Sequence, residues 1–387
     1  MDMGSWILLS ATGVYVVTVL AFALGCRRVP PGKPVETVPF VSVVIAARNE
    51  EAYIERCLEG LLQQTYPSDR FEVLVVDDSS EDHTRDVVDR IAARNTRVRC
   101  LTVGAREPIL AAKKRPLSVG IREARGEIIL TTDADCRVQP EWIIRMVACF
   151  MPDVGAVIGF SQVKEPGQVS TLLERYQAFD FLVLMSASAG AANLGHPLAA
   201  TGQNLAYRKS FFESVGGFHK IRNRPSGDDI LLLQQMRKAG DLRIVFANHP
   251  GTFVSTWRTE SLGGYIQQRR RWASNALFQV KLNPPFFAYI VDVFLVNLMI
   301  PIGVVFGTPG GGRLVPVTCW FAKACADLVL AARGARRFGR LDLLGAFPLW
   351  ELLQPLYIAT MGVLGSLSGF YWKGRQYRRV GKMIPSS

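Results

Sequence analysis

Acidic side chains gather at four places in this sequence, three where an apolar run gives way to a polar turn and one where an apolar run begins. The first is Ala46-Ala47-Arg48-Asn49-Glu50-Glu51, at the junction of a predicted strand and a predicted helix. A helix start offers free backbone N–H groups that suit a phosphate-bearing ligand. Equally, Asn49 would cap a helix whose dipole Glu50 and Glu51 satisfy. The second is Asp77-Asp78-Ser79-Ser80, again at a strand's end. Its paired carboxylates can accept from a base N–H and from ribose hydroxyls, or can form a plain turn with Ser80 or Asp82 as a cap.

In the third, the β-prone run Ile128 to Thr132 leads into Asp133 and Asp135, spaced i, i+2. On an extended segment these carboxylates point the same way and can share one cation, or one cation and a ribose. An ion such as Mg2+ or Mn2+, held by one or two carboxylates, keeps its other positions for water and phosphate oxygens. It can then offset charge developing on a departing diphosphate. The fourth, Gly227-Asp228-Asp229, opens the apolar run Ile230 to Leu233. A carboxylate at such a helix mouth can take a proton from an attacking hydroxyl; the simpler reading is a cap worth roughly 0.3–1 kcal/mol. A fifth cluster is basic, Gln268-Arg269-Arg270-Arg271-Trp272, inside a helical stretch from Leu262 to Val280. Arginine grips phosphate bidentately and tryptophan offers a flat face to a sugar ring. An amphipathic helix at lipid headgroups is the alternative.

The elements that must position these groups follow from periodicity. Between Phe40 and about Phe160, short apolar runs (Val41 to Ala46, Phe71 to Val76, Val98 to Val103, Ile128 to Thr132) alternate with helical patterns (Glu50 to Gln64, Asp82 to Arg94, Leu117 to Ala124, Trp142 to Phe150). This βαβα succession predicts an α/β fold with a mainly parallel sheet, whose ligands bind at the carboxyl ends of the strands. Gln162 to about Arg258 is more mixed and is expected to complete the same domain.

The chain has 387 residues, too many for one ordinary core. Its 49% hydrophobic content and mean hydropathy of +0.17 point to localised membrane segments. Trp6 to Gly25 carries no charge and is followed by Arg27, Arg28 and Lys33, the charge order of a membrane span rather than of a cleaved signal. After Pro284 three further helices are expected: Phe286 to Gly307, Leu314 to Ala332, and an interrupted segment from Leu343 to Trp372. That last segment reads as an interfacial piece, a re-entrant hairpin or two short helices. The expected divisions are residues 1–27 (N-terminal transmembrane helix), 28–39 (Pro-rich linker), 40–260 (catalytic α/β domain), 261–284 (amphipathic interfacial helix), 285–373 (C-terminal membrane region) and 374–387 (basic tail).

The seven cysteines form no CxxC pair, and His83, His196, His219 and His249 show no ligand spacing, so neither a zinc site nor a disulfide framework is indicated. The net charge of +12 clusters beside the apolar spans, where anionic headgroups lie, which argues for membrane lipids and against nucleic acid as the partner.

Taken in order, these clusters resemble the membrane-bound family 2 glycosyltransferases of the GT-A fold, the group that includes cellulose, hyaluronan and poly-N-acetylglucosamine synthases. The resemblance covers roughly Phe40 to Asn283 with the flanking membrane helices. It implies a nucleotide-diphosphate sugar donor, a Mg2+ or Mn2+ ion, and a lipid, isoprenoid or carotenoid, or glycan acceptor. By that resemblance Ala46, Arg48 and Glu50 line the nucleotide pocket with Asp77 and Asp78, and Lys113, followed by Leu117 and Gly120, sits near the donor. Asp135 is the expected metal ligand, and Asp133 lies towards the ribose and diphosphate. Gln203 and Asn204, in Thr201-Gly202-Gln203-Asn204, belong to the acceptor side. Asp229 is the expected general base, with Asp228 beside it, and Gln268, Arg271 and Trp272 match QxxRW.

Gly227-Asp228-Asp229 stands where many polymer synthases have Thr-Glu-Asp, and Leu231 replaces a usual second Asp. These departures favour single transfer over processive polymerisation, which remains the alternative enzyme reading. A membrane scaffold or lipid-binding protein that kept the fold without catalysis is the alternative of another class. The basic residues after the first span place the catalytic domain on the cytosolic face of a multi-pass protein in the cytoplasmic membrane.

Overall fold

A computed structural model describes residues 2–27, 38–104, 111–257, 260–308, 312–367, 369–372 and 375–377. The chain separates into two packed units, one built from residues 29–165, 197–259 and 371–387, the other from residues 1–28, 166–196 and 260–370.

The first unit is the α/β unit. Its strands are β1 (Val41–Ala47), β2 (Phe71–Asp77), β3 (Val98–Thr102), β4 (Ile128–Thr131), β5 (Cys136–Val138), β6 (Val154–Ile158), β7 (Ser161–Val163), β8 (Leu205–Arg208), β9 (Arg243–Phe246) and β10 (Val254–Thr256). Seven of them form one sheet in the order β3-β2-β1-β4-β8-β6-β9. All neighbours run parallel except β8, which is antiparallel to both β4 and β6. β1, β2 and β4 are buried almost throughout, as expected of parallel strands covered on both faces. Helix Lys114–Glu123 packs closely on this sheet: a Cβ on Gly120 would lie 2.4 Å from a methyl of Val44, so only glycine permits the approach. The register pairs Ala47 with Asp77 and Val44 with Thr131. The acidic clusters therefore leave the sheet side by side, at the carboxyl ends of adjacent strands.

The second unit is helical. Helices Met3–Gly25, Pro284–Phe306 and Leu314–Phe338 are each long and apolar enough to cross a membrane. The interrupted segment expected after residue 343 forms a 3-10 turn (Leu341–Ala346) running into one helix, Phe347–Leu367, which contains Pro355. Helix Leu172–Asn193 also packs in this unit, with Thr171 and Glu174 forming a reciprocal capping box at its start. Close contact is set by small residues: a Cβ on Gly190 would lie 2.1 Å from the carbonyl oxygen of Phe22.

Polarity in the helical unit is inverted relative to a water-soluble bundle. Val17, Phe306, Leu314 and Phe321 point outward, whereas Lys323, Asp327 and Glu351 are buried inside. The Lys323 ammonium donates to Asp327 Oδ2 at 2.8 Å and to Glu351 Oε1 at 2.9 Å. Tyr15 donates to Asp327 at 2.8 Å, and the Trp320 indole to Glu351 at 3.0 Å. One buried polar network thus joins three helices of this unit. At one end of the unit Arg333 donates to the carbonyl of Ala23 and Arg337 to that of Arg27, which brings two basic stretches of sequence together.

Candidate functional site

The site grows from three strand ends. After β1 the chain enters a turn in which Asn49 has a φ of 53°, a left-handed conformation that asparagine tolerates. Asn49 is not a helix cap, because the next helix begins only at Ile54. It clasps the β2 loop instead: its backbone N–H donates to Ser80 Oγ at 3.0 Å, and its Oδ1 accepts from Glu81 N at 2.9 Å. Arg48 adds a bond to the carbonyl of Asp78 at 3.1 Å and an ion pair with Glu81 at 3.1 Å. Glu50 is buried and its N–H donates to Thr84 Oγ1 at 2.7 Å. Asp77 accepts from Ser80 N at 3.2 Å, and Asp78 N donates to Ala47 O at 2.9 Å. Ala46, opposite Val76, is the last of the expected pocket residues on the strand itself. These bonds make the β1 and β2 ends one rigid acidic ledge.

The Asp133–Asp135 segment differs from expectation in conformation. β4 ends at Thr131, and residues 133–136 form a turn closed by a bond from Cys136 N to Asp133 O at 3.1 Å. The two carboxylates therefore sit on a turn rather than on an extended strand, so period-two alternation does not set their directions. The turn is pinned from below, since Trp257 N donates to Asp135 O at 2.9 Å and the Cys57 thiol to Asp133 O at 3.5 Å. Cys136 Sγ lies 3.7 Å from Asp135 Oδ1 as a weak donor.

Lys113 gathers the remaining groups. It stands at the start of helix Lys114–Glu123, ion-pairs with Asp133, and lies 3.8 Å from Asp228 Oδ2. Burial works against its charge, but the carboxylates of Asp133 and Asp228 outweigh it and hold the ammonium above its ordinary range. Asp229 caps helix Ile230–Ala239, accepting from Ile230 N at 2.6 Å, and its second oxygen accepts from Gly202 N at 3.1 Å. Burial and the neighbouring Asp228 push its carboxyl up; the two N–H groups and Lys113 oppose them. Capping and a chemical role are therefore compatible in one residue. Gly227, at φ 89°, supplies the bend before the acidic pair.

Gln203 and Asn204 divide in function. Asn204 is fully buried: its amide donates to Phe160 O at 2.8 Å and Thr252 O at 2.7 Å, and its oxygen accepts from the Trp142 indole at 2.9 Å. It holds the loop that presents Gly202 to Asp229. Gln203 keeps a buried Oε1 without a hydrogen-bond partner. Gln268, Arg271 and Trp272 lie in the helical unit, on helix Leu262–Ala273. There Trp272 rests on the guanidinium of Arg269, 4.1 Å from its ring centre, and Arg269 ion-pairs with Asp180 at 2.5 Å.

Two contributors escaped the sequence reading. Lys114 is fully buried and donates to the carbonyls of Arg224 and Ser226 at 2.7 and 2.9 Å, fixing the loop that delivers Asp228. Only its adjacency to Lys113 could have drawn notice. Asp180 is the second: it belongs to no motif, and its partner Arg269 lies inside the Gln268-to-Trp272 cluster without a role of its own in that reading, though a lone carboxylate in the apolar run Ala178 to Ala192 is the kind of signal that marks a buried ion pair.

Residues 39–275 match the family model described as glycosyltransferase like family 2. Among curated relatives, glycosyltransferase AglE of Haloferax volcanii is 30% identical over 206 residues, covering 53% of this chain and 63% of the relative. An N-acetylglucosaminyltransferase of Mesorhizobium japonicum is 28% identical over 371 residues, covering 89% of this chain and 83% of the relative. The chain spans about three fifths of the length of the first curated relatives it matches, 63%, 61% and 60%. Among solved structures, the mannosyltransferase PcManGT from Pyrobaculum calidifontis, in complex with GDP-Man and Mn2+, superposes with a TM-score of 0.59 at 22% identity, over 93% of this chain and 99% of that one. This likeness is one of fold.

Proposed function

This chain belongs to glycosyltransferase family 2, and from that premise we propose that it moves one sugar from a nucleotide-diphosphate donor to a hydroxyl acceptor at a membrane, with inversion. The observation that carries the reading is the cluster in which Lys113 pairs with Asp133 and lies beside Asp228, while Asp229 is oriented by two backbone N–H groups. In a single displacement the acceptor oxygen bonds to the anomeric carbon as the bond to the β-phosphate breaks. Asp229 takes the acceptor's proton, and burial beside Asp228 makes it a stronger base than an ordinary carboxylate. Lys113, beside Asp133 and Asp228, would neutralise diphosphate oxygens. The ledge of Ala46, Arg48, Glu50, Asp77 and Asp78 receives the nucleoside.

Asp133 and Asp135 suit a divalent ion by their chemistry. Among the described residues no group of three or more His, Cys, Asp or Glu is placed to hold a metal. One or two carboxylates are enough for Mg2+ or Mn2+, which takes its other positions from water and diphosphate oxygens. When bound, the ion would offset charge on the leaving group.

The acceptor is a lipid, isoprenoid or glycan alcohol, with Gln203 the acceptor-side candidate within the α/β unit and Gln268, Arg271 and Trp272 the candidates within the helical unit. Three span-capable helices among the described residues and the joining of Arg333 and Arg337 to the end of the first helix support a multi-pass protein, and the basic residues that follow the first span favour the cytosolic side for the chain after it. Membranes incubated with a panel of radiolabelled nucleotide sugars and Mn2+ should label a lipid or glycan fraction. Asp135→Ala and Asp229→Ala should each abolish the label while the protein still accumulates; full activity in either removes its assigned role. Product length separates single transfer from polymerisation.

A further inference from the structure

The segment after Trp272 carries its polarity on the inside. Asn275, Gln279 and Asn283 recur every four residues along a path from the end of Leu262–Ala273 through the 3-10 turn Ala276–Phe278 to Gln279–Leu282, and their common burial marks one face. That face is turned inward: their exposures are 4%, 1% and 3%. Leu277 and Val280, on the other side, are each 46% exposed. An amphipathic helix in water shows the opposite arrangement.

Asn283 has a structural task, accepting from Phe286 N at 3.2 Å to cap the span Pro284–Phe306. The other two do not. Asn275 Oδ1, Gln279 Oε1 and Gln279 Nε2 meet no hydrogen-bond partner. Buried amide atoms without partners are costly, and beside a lipid-facing apolar surface bulk water does not relieve them. They are thus groups waiting for a ligand that both donates and accepts.

A hydroxyl does both, donating to a carboxamide oxygen and accepting from Nε2. An anion would meet two oxygens, and a cation would meet the amide N–H. We propose that Asn275 and Gln279 bind the uncharged hydroxyl head of a lipid alcohol. The inference rests on the transfer reading above and narrows its acceptor to that class.

The probe is monoolein, compared with methyl oleate, which has the same acyl chain without glycerol hydroxyls. Retention on the full-length protein in detergent is read by native mass spectrometry. The wild type should retain monoolein about fivefold or more over methyl oleate, and Asn275→Leu with Gln279→Met should bring the ratio to about one. Melting of the variant should not fall, since replacing unpartnered buried amides by apolar groups of similar volume is neutral or stabilising. No preference in the wild type, a preference that survives in the variant, or a loss of melting temperature overturns the proposal: the first two mean merely hydrated amides, the third internal partners. Metal-dependent binding of UDP and GDP, measured by calorimetry on the same samples, tests the donor reading separately. Its failure would leave the lipid result readable.

Discussion

Removing Lys113 and removing Asp228 should move the acid limb of the pH–rate profile in opposite directions. As the proposed base, Asp229 would act deprotonated, so activity is expected above its pKa and lost as pH falls through it. Burial and the Asp228 charge raise that pKa, and Lys113 lowers it. Asp228→Asn therefore shifts the limb to lower pH, and Lys113→Met shifts it to higher pH. The two residues face each other at 3.8 Å with side chains only 16% and 10% exposed, a separation worth about 4 kcal/mol at an effective dielectric constant of about 20. Contacting residues in one network usually couple by roughly 0.5–3 kcal/mol. We expect about 2 kcal/mol in a double-mutant cycle, or roughly 30-fold non-additivity in kcat/KM. Initial transfer rates from about pH 5 to about pH 9, with saturating Mn2+, provide the test. Limbs that move together, or additive single effects, would refute the assignment of Asp229 as a base tuned by this pair.

Three further outcomes follow from the geometry. Lys323→Met strands Asp327 and Glu351 inside the helical unit, so detergent-solubilised protein should lose on the order of 3–5 kcal/mol of stability, read by thermal unfolding; a loss under about 1 kcal/mol would refute a stabilising role for the network. Asn204→Ala leaves the Trp142 indole and two carbonyls unsatisfied and should cost roughly 1–3 kcal/mol, while kcat falls more than donor KM rises because Gly202 loses its register to Asp229. Gly190→Ala forces a methyl against the carbonyl of Phe22, so membrane accumulation should drop several-fold on an immunoblot while Gly195→Ala, where a Cβ meets nothing within 4 Å, is tolerated better, its strain limited to one left-handed residue.

The parallel strands and the placement of the acidic clusters were legible, though not the order in which the strands pair, because a parallel strand buried on both faces reads as a mostly apolar run, and its carboxyl end is where that run stops. Val41 to Ala47 and Phe71 to Asp77 show this directly: each apolar run terminates at the polar residues that form the ledge. Local conformation was less legible. Asn49 has the composition of a cap but binds a loop about 30 residues later in the chain, and Asp133 and Asp135 share a turn that a β-prone flank disguises. In both cases a tertiary hydrogen bond outweighs the local propensity.

What a single sequence conceals is mostly the buried polar partner. Lys114, Asp180, Arg269 and Asn204 each acquire meaning only from carbonyls or charges far away in the chain. Lys113 and Lys114 make the point most sharply: adjacent and identical in type, one faces carboxylates and the other two carbonyls. Their roles divide because the N-terminus of a helix points successive side chains in different directions, towards the strand ends in one case and the loop before Asp228 in the other. A substitution at Lys114 should therefore act through the position of Asp228, and one at Lys113 through charge.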